Sequence, residues 1–181
     1  MALVLGIDTS NYTTPCALYD TEDKEIIQLK QLLPVKSGEC GIRQSDAVFH
    51  HNRQLPSLLE DLLCKTDKRI DCVCVSVTPR RQEGSYMPCF LAGMSFAQSI
   101  AHSLGVPTYA FSHQQGHLAA AAFSVDKPEL LKAPFLAWHL SGGTTELLLV
   151  EPCEERMIRA NIVGGTTDIS AGQVIDRVGG D

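Results

Sequence analysis

Two hydroxyl-rich turns and one pair of histidines carry most of the chemistry that this 181-residue chain offers. The first turn, Ser10-Asn11-Tyr12-Thr13-Thr14, follows the apolar run from Leu3 to Ile7 and leads into Cys16-Ala17-Leu18-Tyr19-Asp20. The second, Ser141-Gly142-Gly143-Thr144-Thr145, follows Phe135 to Leu140 and leads into Leu147 to Glu151. Laying Thr13-Thr14 on Thr144-Thr145, a shift of 131 positions, brings Ser10 onto Ser141 and aligns the apolar arms on both sides. Each segment reads as a buried strand, a tight turn and a returning strand. Backbone N–H groups and hydroxyls in such turns can hold an anion such as phosphate. Two facing copies therefore predict a two-lobed clamp for a nucleotide, with Ser10, Ser141, Gly142, Gly143 and Thr144 as the donors.

The histidine pair is His113 and His117, in the run Ser112-His113-Gln114-Gln115-Gly116-His117. Ser112 and Gln115 have the spacing of a capping box, so a helix is expected to begin there. His113 and His117 then stand at i and i+4 on one helical face, a spacing at which two imidazoles can share a metal ion. They follow a strand's C-terminal end, where sites gather in α/β proteins. The alternative is a pair of surface or internally satisfied histidines, because the spacing alone names no third ligand. His50, His51 and His102 read as structural or solvated. The seven cysteines are scattered, and Cys72-Val73-Cys74 has no second pair to complete a zinc site. They read as ordinary thiols of a reducing compartment.

The elements that must position these groups follow from periodicity. Glu25 to Leu33 reads as a third strand, and Pro34 to Gln44 as a loop. From Ser45 a helical pattern sets in, with Leu55, Leu58, Leu59, Leu62 and Leu63 on one face. Pro56 inside it predicts a kink or a later start. Ile70 to Val77 is a β-branched central strand, and Pro88 to Leu104 a helix stopped at Gly105. Val106 to Phe111 is a strand, followed by the histidine helix to about Phe123. Lys127 to Pro134 is a linker, after which the strand pattern restarts. Met157 to Val163 reads as a strand and Asp168 to Val178 as a helix. This order predicts a mixed sheet with helices packed on it, and the restart near residue 135 predicts a second, partial copy. The expected domains are 1–130 and 131–181.

Bulk properties exclude some classes. A hydrophobic content of 44% with 20% charged residues marks a folded chain. A net charge of −6 gives no electrostatic footprint for unaided nucleic-acid binding, so no DNA contact is expected and tRNA only indirectly. No apolar run reaches membrane-spanning length and no leader pattern opens the chain, so cytoplasmic residence is the expectation.

In these residues the chain resembles the TsaD-type tRNA threonylcarbamoyladenosine transferases, also called glycoproteases or O-sialoglycoprotein endopeptidases. The matching pieces run in order along its length: Gly6-Ile7-Asp8-Thr9-Ser10, Ser45-Asp46, Asp71 to Thr78, and Ala92-Gly93 to Leu104-Gly105-Val106-Pro107. They continue with His113-x-x-Gly116-His117, Ser141-Gly142-Gly143-x-Thr145 and Asp168-x-x-Ala171-Gly172-x-x-x-Asp176. The resemblance implies the actin-like/sugar-kinase/Hsp70 ATPase fold (ribonuclease H-like), with a complete first lobe and a partial second one. It implies transfer of a threonylcarbamoyl group from its adenylate to the exocyclic amine of a tRNA adenosine. It makes His113 and His117 ligands of a divalent metal, iron or zinc. Ser141, Gly142 and Gly143 would hold phosphates of ATP or threonylcarbamoyl-adenylate, and Asp176 would contact the ribose.

Departures from the family pattern shed charge or titratable groups. Tyr12 and Thr13 stand where the family has an Asp-Glu pair, and Thr144 where it has His. Gln115 and Gln173 stand where it has Glu. Glycines and turn residues stay, and no general base or other catalytic residue can be named. Three readings follow. The chain is a transferase of this type, or a non-catalytic paralog that binds a nucleotide, a family-related subunit or a second copy of itself. The third, a metallopeptidase, lacks the general-base carboxylate, since Gln114 follows the first histidine. The downstream metal-site carboxylate and nucleotide-binding Asn of the family fall beyond Asp181, so the chain is expected to be a fragment or to complete itself by association.

Overall fold

The computed structural model describes residues 1–10, 12–35, 42–155 and 157–179. Asn11 of the first turn, the loop residues 36–41 and the closing Gly180-Asp181 lie outside the described residues. The chain divides into two compact units, Met1–Gln114 and Gln115–Asp181.

The first unit is a five-stranded mixed sheet. Strands β1 (Leu3–Ile7), β2 (Thr13–Asp20) and β3 (Ile26–Leu32) form an antiparallel meander. β4 (Cys72–Thr78) and β5 (Thr108–Ser112) add parallel strands on the other side of β1, giving the order β3-β2-β1-β4-β5. The parallel pairs need crossovers, and α1 (Gln44–Leu63) and α2 (Phe90–Leu104) supply them. Strand alternation sends Leu3, Leu5, Ile7, Cys16, Leu18, Val73 and Val75 to one face. There they pack against Leu55, Leu58, Leu59 and Leu62 of α1 and Ala97 and Ala101 of α2.

α1 starts at Gln44 rather than late, and it runs through Pro56. Pro56 is exposed while Leu55, Leu58 and Leu59 are buried. The hydrogen bond that proline removes is thus lost on the solvent side, where water replaces it. Two side chains of the first hairpin hold the helices. Thr9 Oγ1 donates to the Cys89 carbonyl at 2.9 Å and accepts the Gly93 N–H at 3.1 Å, closing the start of α2. A Cβ on Gly93 would stand 2.8 Å from that hydroxyl, so the approach needs glycine. Thr14 Oγ1 lies 2.7 Å from His51 Nδ1 and donates to Gln54 Oε1 at 2.6 Å, tying β2 to α1.

The second unit is a three-stranded antiparallel sheet of β6 (Phe135–Leu140), β7 (Thr145–Cys153) and β8 (Met157–Gly165) in that order. α3 (His113–Ser124) begins at the boundary, and a 3-10 helix (Pro128–Lys132) precedes β6. α4 (Ala171–Val178) follows β8, three residues later than the expected start, with Ser170 as its N-cap. Leu118 of α3 packs with Leu148, Val150 and Ile158, covering one face of this sheet.

The two hairpins share one pairing register. Leu5 pairs with Leu18 and Ile7 with Cys16 in the first. Leu136 pairs with Leu149 and Trp138 with Leu147 in the second, each 131 positions on. Their environments differ. Leu5 and Ile7 are 0% and 3% exposed, whereas Leu136 and Trp138 are 62% and 65% exposed. Leu5→Ala should therefore lower the unfolding free energy by about 2–5 kcal/mol through a core cavity. Leu136→Ala at the equivalent position should change it by less than about 0.5 kcal/mol. Urea unfolding of the two variants checks the contrast.

Candidate functional site

The first turn is organised by a carboxylate. β1 ends at Ile7 and delivers Asp8, whose Oδ1 accepts the Ser10 N–H at 2.8 Å and whose Oδ2 accepts the His113 Nδ1–H at 2.8 Å. Burial alone would raise the Asp8 pKa. Hydrogen bonds from His113, Ser76 and Ser10, together with the His113 charge, outweigh it and hold Asp8 at about 2. Asp8 is thus ionised at neutral pH, so Nδ1 of His113 is the donor. His113 opens α3, and the next N–H, of Gln114, donates to the Pro79 carbonyl at 3.0 Å. The Ser10 carbonyl accepts the Cys89 S–H at 3.2 Å. Ser10 therefore sits in a turn whose N–H is already used by Asp8.

The second turn is closed by a hydroxyl. Ser141 Oγ accepts the Gly143 N–H at 3.2 Å and the Thr144 N–H at 3.0 Å, and lies 2.6 Å from Thr144 Oγ1. The Ser141 N–H donates to the Thr144 carbonyl at 2.8 Å. Two backbone N–H groups thus converge on one exposed oxygen, the arrangement that also accepts an anion's oxygen. Gly142 and Gly143 have open space where a Cβ would stand.

α4 docks on this turn. Ser170 Oγ donates to the Gly142 carbonyl at 2.6 Å, and the Ala171 N–H donates to Thr145 Oγ1 at 2.7 Å. The Gly172 N–H donates to the Ser141 carbonyl at 3.2 Å. A Cβ on Gly172 would come within 2.6 Å of both the Ser141 oxygen and the Gly142 Cα, so only glycine permits this approach. Ser141, Gly142, Gly143 and Thr144 form this one turn. Asp176 stands exposed on the second turn of α4, beyond that contact.

His117 occupies the fifth position of α3, one turn after His113. Its ring centroid lies 6.4 Å from that of His139, whose Nδ1 is 3.5 Å from Glu146 Oε2. Among the described residues no three His, Cys, Asp or Glu side chains gather into a metal-holding group. A carboxylate on Nδ1 is the partner that orients a metal-bound imidazole, so the surroundings of His113 are compatible with a ligand role. The cysteines fit a structural role: burial pushes Cys16 and Cys89 up to about 11 and Cys74 up to about 12, far from the thiolate form.

Sequence reasoning matched Asp8, Thr9 and Thr14 as motif or turn residues without giving them roles. Their signal was an acidic or hydroxylated residue at the end of an apolar strand, which spacing alone cannot tell from a ligand donor. Gln115 was read as a lost carboxylate; it is buried, and its Nε2 donates to the Ile158 carbonyl at 2.8 Å, tying α3 to β8.

The first unit's sheet order, with its two crossover helices, and the repeated hairpin are features of the actin-like ATPase and sugar-kinase class, and solved structures agree. YeaZ from Pseudomonas aeruginosa superposes with a TM-score of 0.54 at 16% identity, over 91% of this chain and 65% of that one. An inorganic polyphosphate/ATP-glucomannokinase from Arthrobacter sp. strain KM gives 0.53 at 10% identity, over 99% of this chain and 72% of that one. These likenesses establish the fold.

Residues 26–180 match the family model described as tRNA N6-adenosine threonylcarbamoyltransferase, and the chain belongs to that family. Enzymes of that name from Ralstonia pickettii (strain 12J) and Chromobacterium violaceum are each 32% identical to it over 97% of its length. The chain spans about half the length of these relatives, 48% and 49%.

Two outcomes test the geometry. His113→Ala leaves burial of Asp8 less opposed, so the Asp8 carboxyl pKa, followed by carbon-detected NMR titration, should rise from about 2; an unchanged value would contradict the coupling. Gly172→Ala should force α4 off the Ser141–Gly142 turn and cost about 1–3 kcal/mol of stability, read by thermal unfolding.

Proposed function

We propose that this chain binds an adenylate through the Ser141–Thr144 turn and serves threonylcarbamoyl transfer to a tRNA adenosine. The observation that carries this is the convergence of the Gly143 and Thr144 N–H groups on one exposed oxygen position, beside an α4 docked by Gly172, in a chain of this family. A phosphate oxygen of ATP or threonylcarbamoyl-adenylate takes the place of Ser141 Oγ, and the Ser141 and Thr144 hydroxyls turn to donate. Asp176 is assigned to the ribose. Ser10, the counterpart of Ser141, is assigned a donor role through its hydroxyl.

His113 and His117 are assigned to a divalent metal, iron or zinc. When bound, the metal supplies positive charge that steadies anionic oxygens. Asp8 orients the His113 ring through Nδ1. In the transfer, the tRNA amine nitrogen bonds to the carbamoyl carbon, the bond from that carbon to the adenylate oxygen breaks, AMP leaves with the electron pair, and the amine proton passes to solvent. No residue is assigned as the proton acceptor. Residues 1–130 are assigned to the first lobe and 131–181 to part of the second, in a cytoplasmic protein that meets tRNA through a partner.

A second reading rests on Gln115 and the other charge-free substitutions. Gln115 replaces a family carboxylate and is spent on holding Ile158, which favours a paralog that binds ligand or partner without turnover. Calorimetry of the full chain with ATP separates binding from its absence, and Gly143→Asp tests the site. The new carboxylate has room and should weaken ATP binding about ten-fold or more by repelling phosphate. Modified tRNA formed above background in a reconstituted assay supports the transferase; ATP binding without turnover supports the paralog; no ATP binding refutes the adenylate site.

A further inference from the structure

Alternation along β6 puts Phe135, Ala137 and His139 on the face of the second sheet that α3 covers. Phe135 and Ala137 pack there against Leu118, Leu148, Val150 and Ile158. On β7 the same face carries Glu146 beside Leu148 and Val150. His139 and Glu146 are cross-strand partners, so the apolar seam beneath α3 ends in an imidazole and a carboxylate. Their side chains are 24% and 16% exposed. A carboxylate drawn that far out of water costs free energy unless a positive charge or a donor uses it.

A second imidazole stands beside this pair. His117 immediately precedes Leu118 on α3, and its ring centroid lies 6.4 Å from that of His139, with the planes inclined by 42°. Two imidazoles that share an ion stand roughly 5–6 Å apart, because each nitrogen lies about 2.0–2.1 Å from the metal. His139 Nδ1 is 3.5 Å from Glu146 Oε2, longer than the ordinary hydrogen bond of about 2.7–3.2 Å. The carboxylate is therefore placed to orient the ring, as the outer partner of a metal-bound histidine does. Asp8 stands in the same relation to His113 Nδ1, at 2.8 Å. A cross-strand ion pair alone accounts for His139 and Glu146 but not for the second imidazole. Imidazoles backed by a carboxylate are a donor set for zinc or iron(II).

We infer that His139 ligates the same divalent ion as His117, with Glu146 as the residue that positions its ring. The inference rests on the assignment of His117 to a metal and adds to it a ligand from the second hairpin. Only Leu140 separates His139 from Ser141, so the strand that holds the ion leads directly into the turn assigned to the adenylate. Positive charge is thereby tied to the place where anionic oxygens gather, and the spacing between the two is set by backbone rather than by flexible side chains.

Titration of the metal-free full chain with cobalt(II), followed by visible absorption, tests this without recourse to activity. The wild-type chain should bind the ion. His139→Ala should weaken binding about ten-fold or more, and Glu146→Gln about ten-fold through loss of the orienting charge. His102→Ala, on α2, should leave binding unchanged. His139→Cys gives the direct readout and does not depend on whether His139→Ala folds. A thiolate at 139 that touches the ion should add a sulfur-to-cobalt charge-transfer band in the near ultraviolet that the wild type lacks. Adding His117→Ala to that variant should abolish the band, because the two residues share one ion. Wild-type binding with no new band in His139→Cys overturns the inference and leaves the His117 assignment standing. A band that survives His117→Ala overturns it as well. Failure of the wild-type chain to bind cobalt overturns both the inference and the metal assignment beneath it.

Discussion

Register is the constraint on which the rest of this structure depends. Because strand side chains alternate, pairing Leu5 with Leu18 and Ile7 with Cys16 commits all four to one face, and a slip by one residue would send them to the other. The same pairing, 131 positions on, commits Leu136, Leu149, Trp138 and Leu147 together. In both hairpins that register also fixes where the turn falls and so which residues can meet a ligand. It delivers Asp8 to Ser10 and His113 in one unit, and brings Ser141 Oγ under two backbone N–H groups in the other.

The two turns then diverge in chemistry. The first is closed by an ionised carboxylate, and its hydroxyl-bearing neighbours Thr9 and Thr14 are buried as anchors for α2 and α1. The second is closed by a neutral, exposed hydroxyl that a stronger acceptor can displace. The second turn thus points two N–H groups at an exposed oxygen, while the carboxylate of the first acts on a histidine. The glycine at 172 joins helix to turn by backbone contact alone, which keeps the second site compact without any charge of its own.

Much of this was legible in the sequence. The repeat of the hairpin, the helical face from Leu55 to Leu63, the central strand before Val77 and the Ser141–Thr144 turn all follow from periodicity and turn composition. What was not legible depends on contacts between distant residues. Nothing local distinguishes Thr14, which faces α1, from a threonine that faces a ligand. Gln115 reads as a vacated carboxylate, and only the fold shows its amide on the Ile158 carbonyl. Pro56 pointed to a kink or a later start, and the start at Gln44 shows that the helix forms on both sides of it. The exposure of Leu136 and Trp138 was hidden for a related reason: their pattern is that of a buried strand, and only the fold shows them exposed among the described residues.

The central claim is that one hairpin is used twice, covered by helices in the first unit and, among the described residues, exposed on the equivalent face in the second. Native-state amide hydrogen exchange, read residue by residue on the chain alone, tests it most directly, because protection follows local packing. The account predicts that the amides of Leu5, Ile7 and Leu18 exchange far more slowly than those of Leu136, Trp138 and Leu149. Equal protection at these matched positions would contradict it.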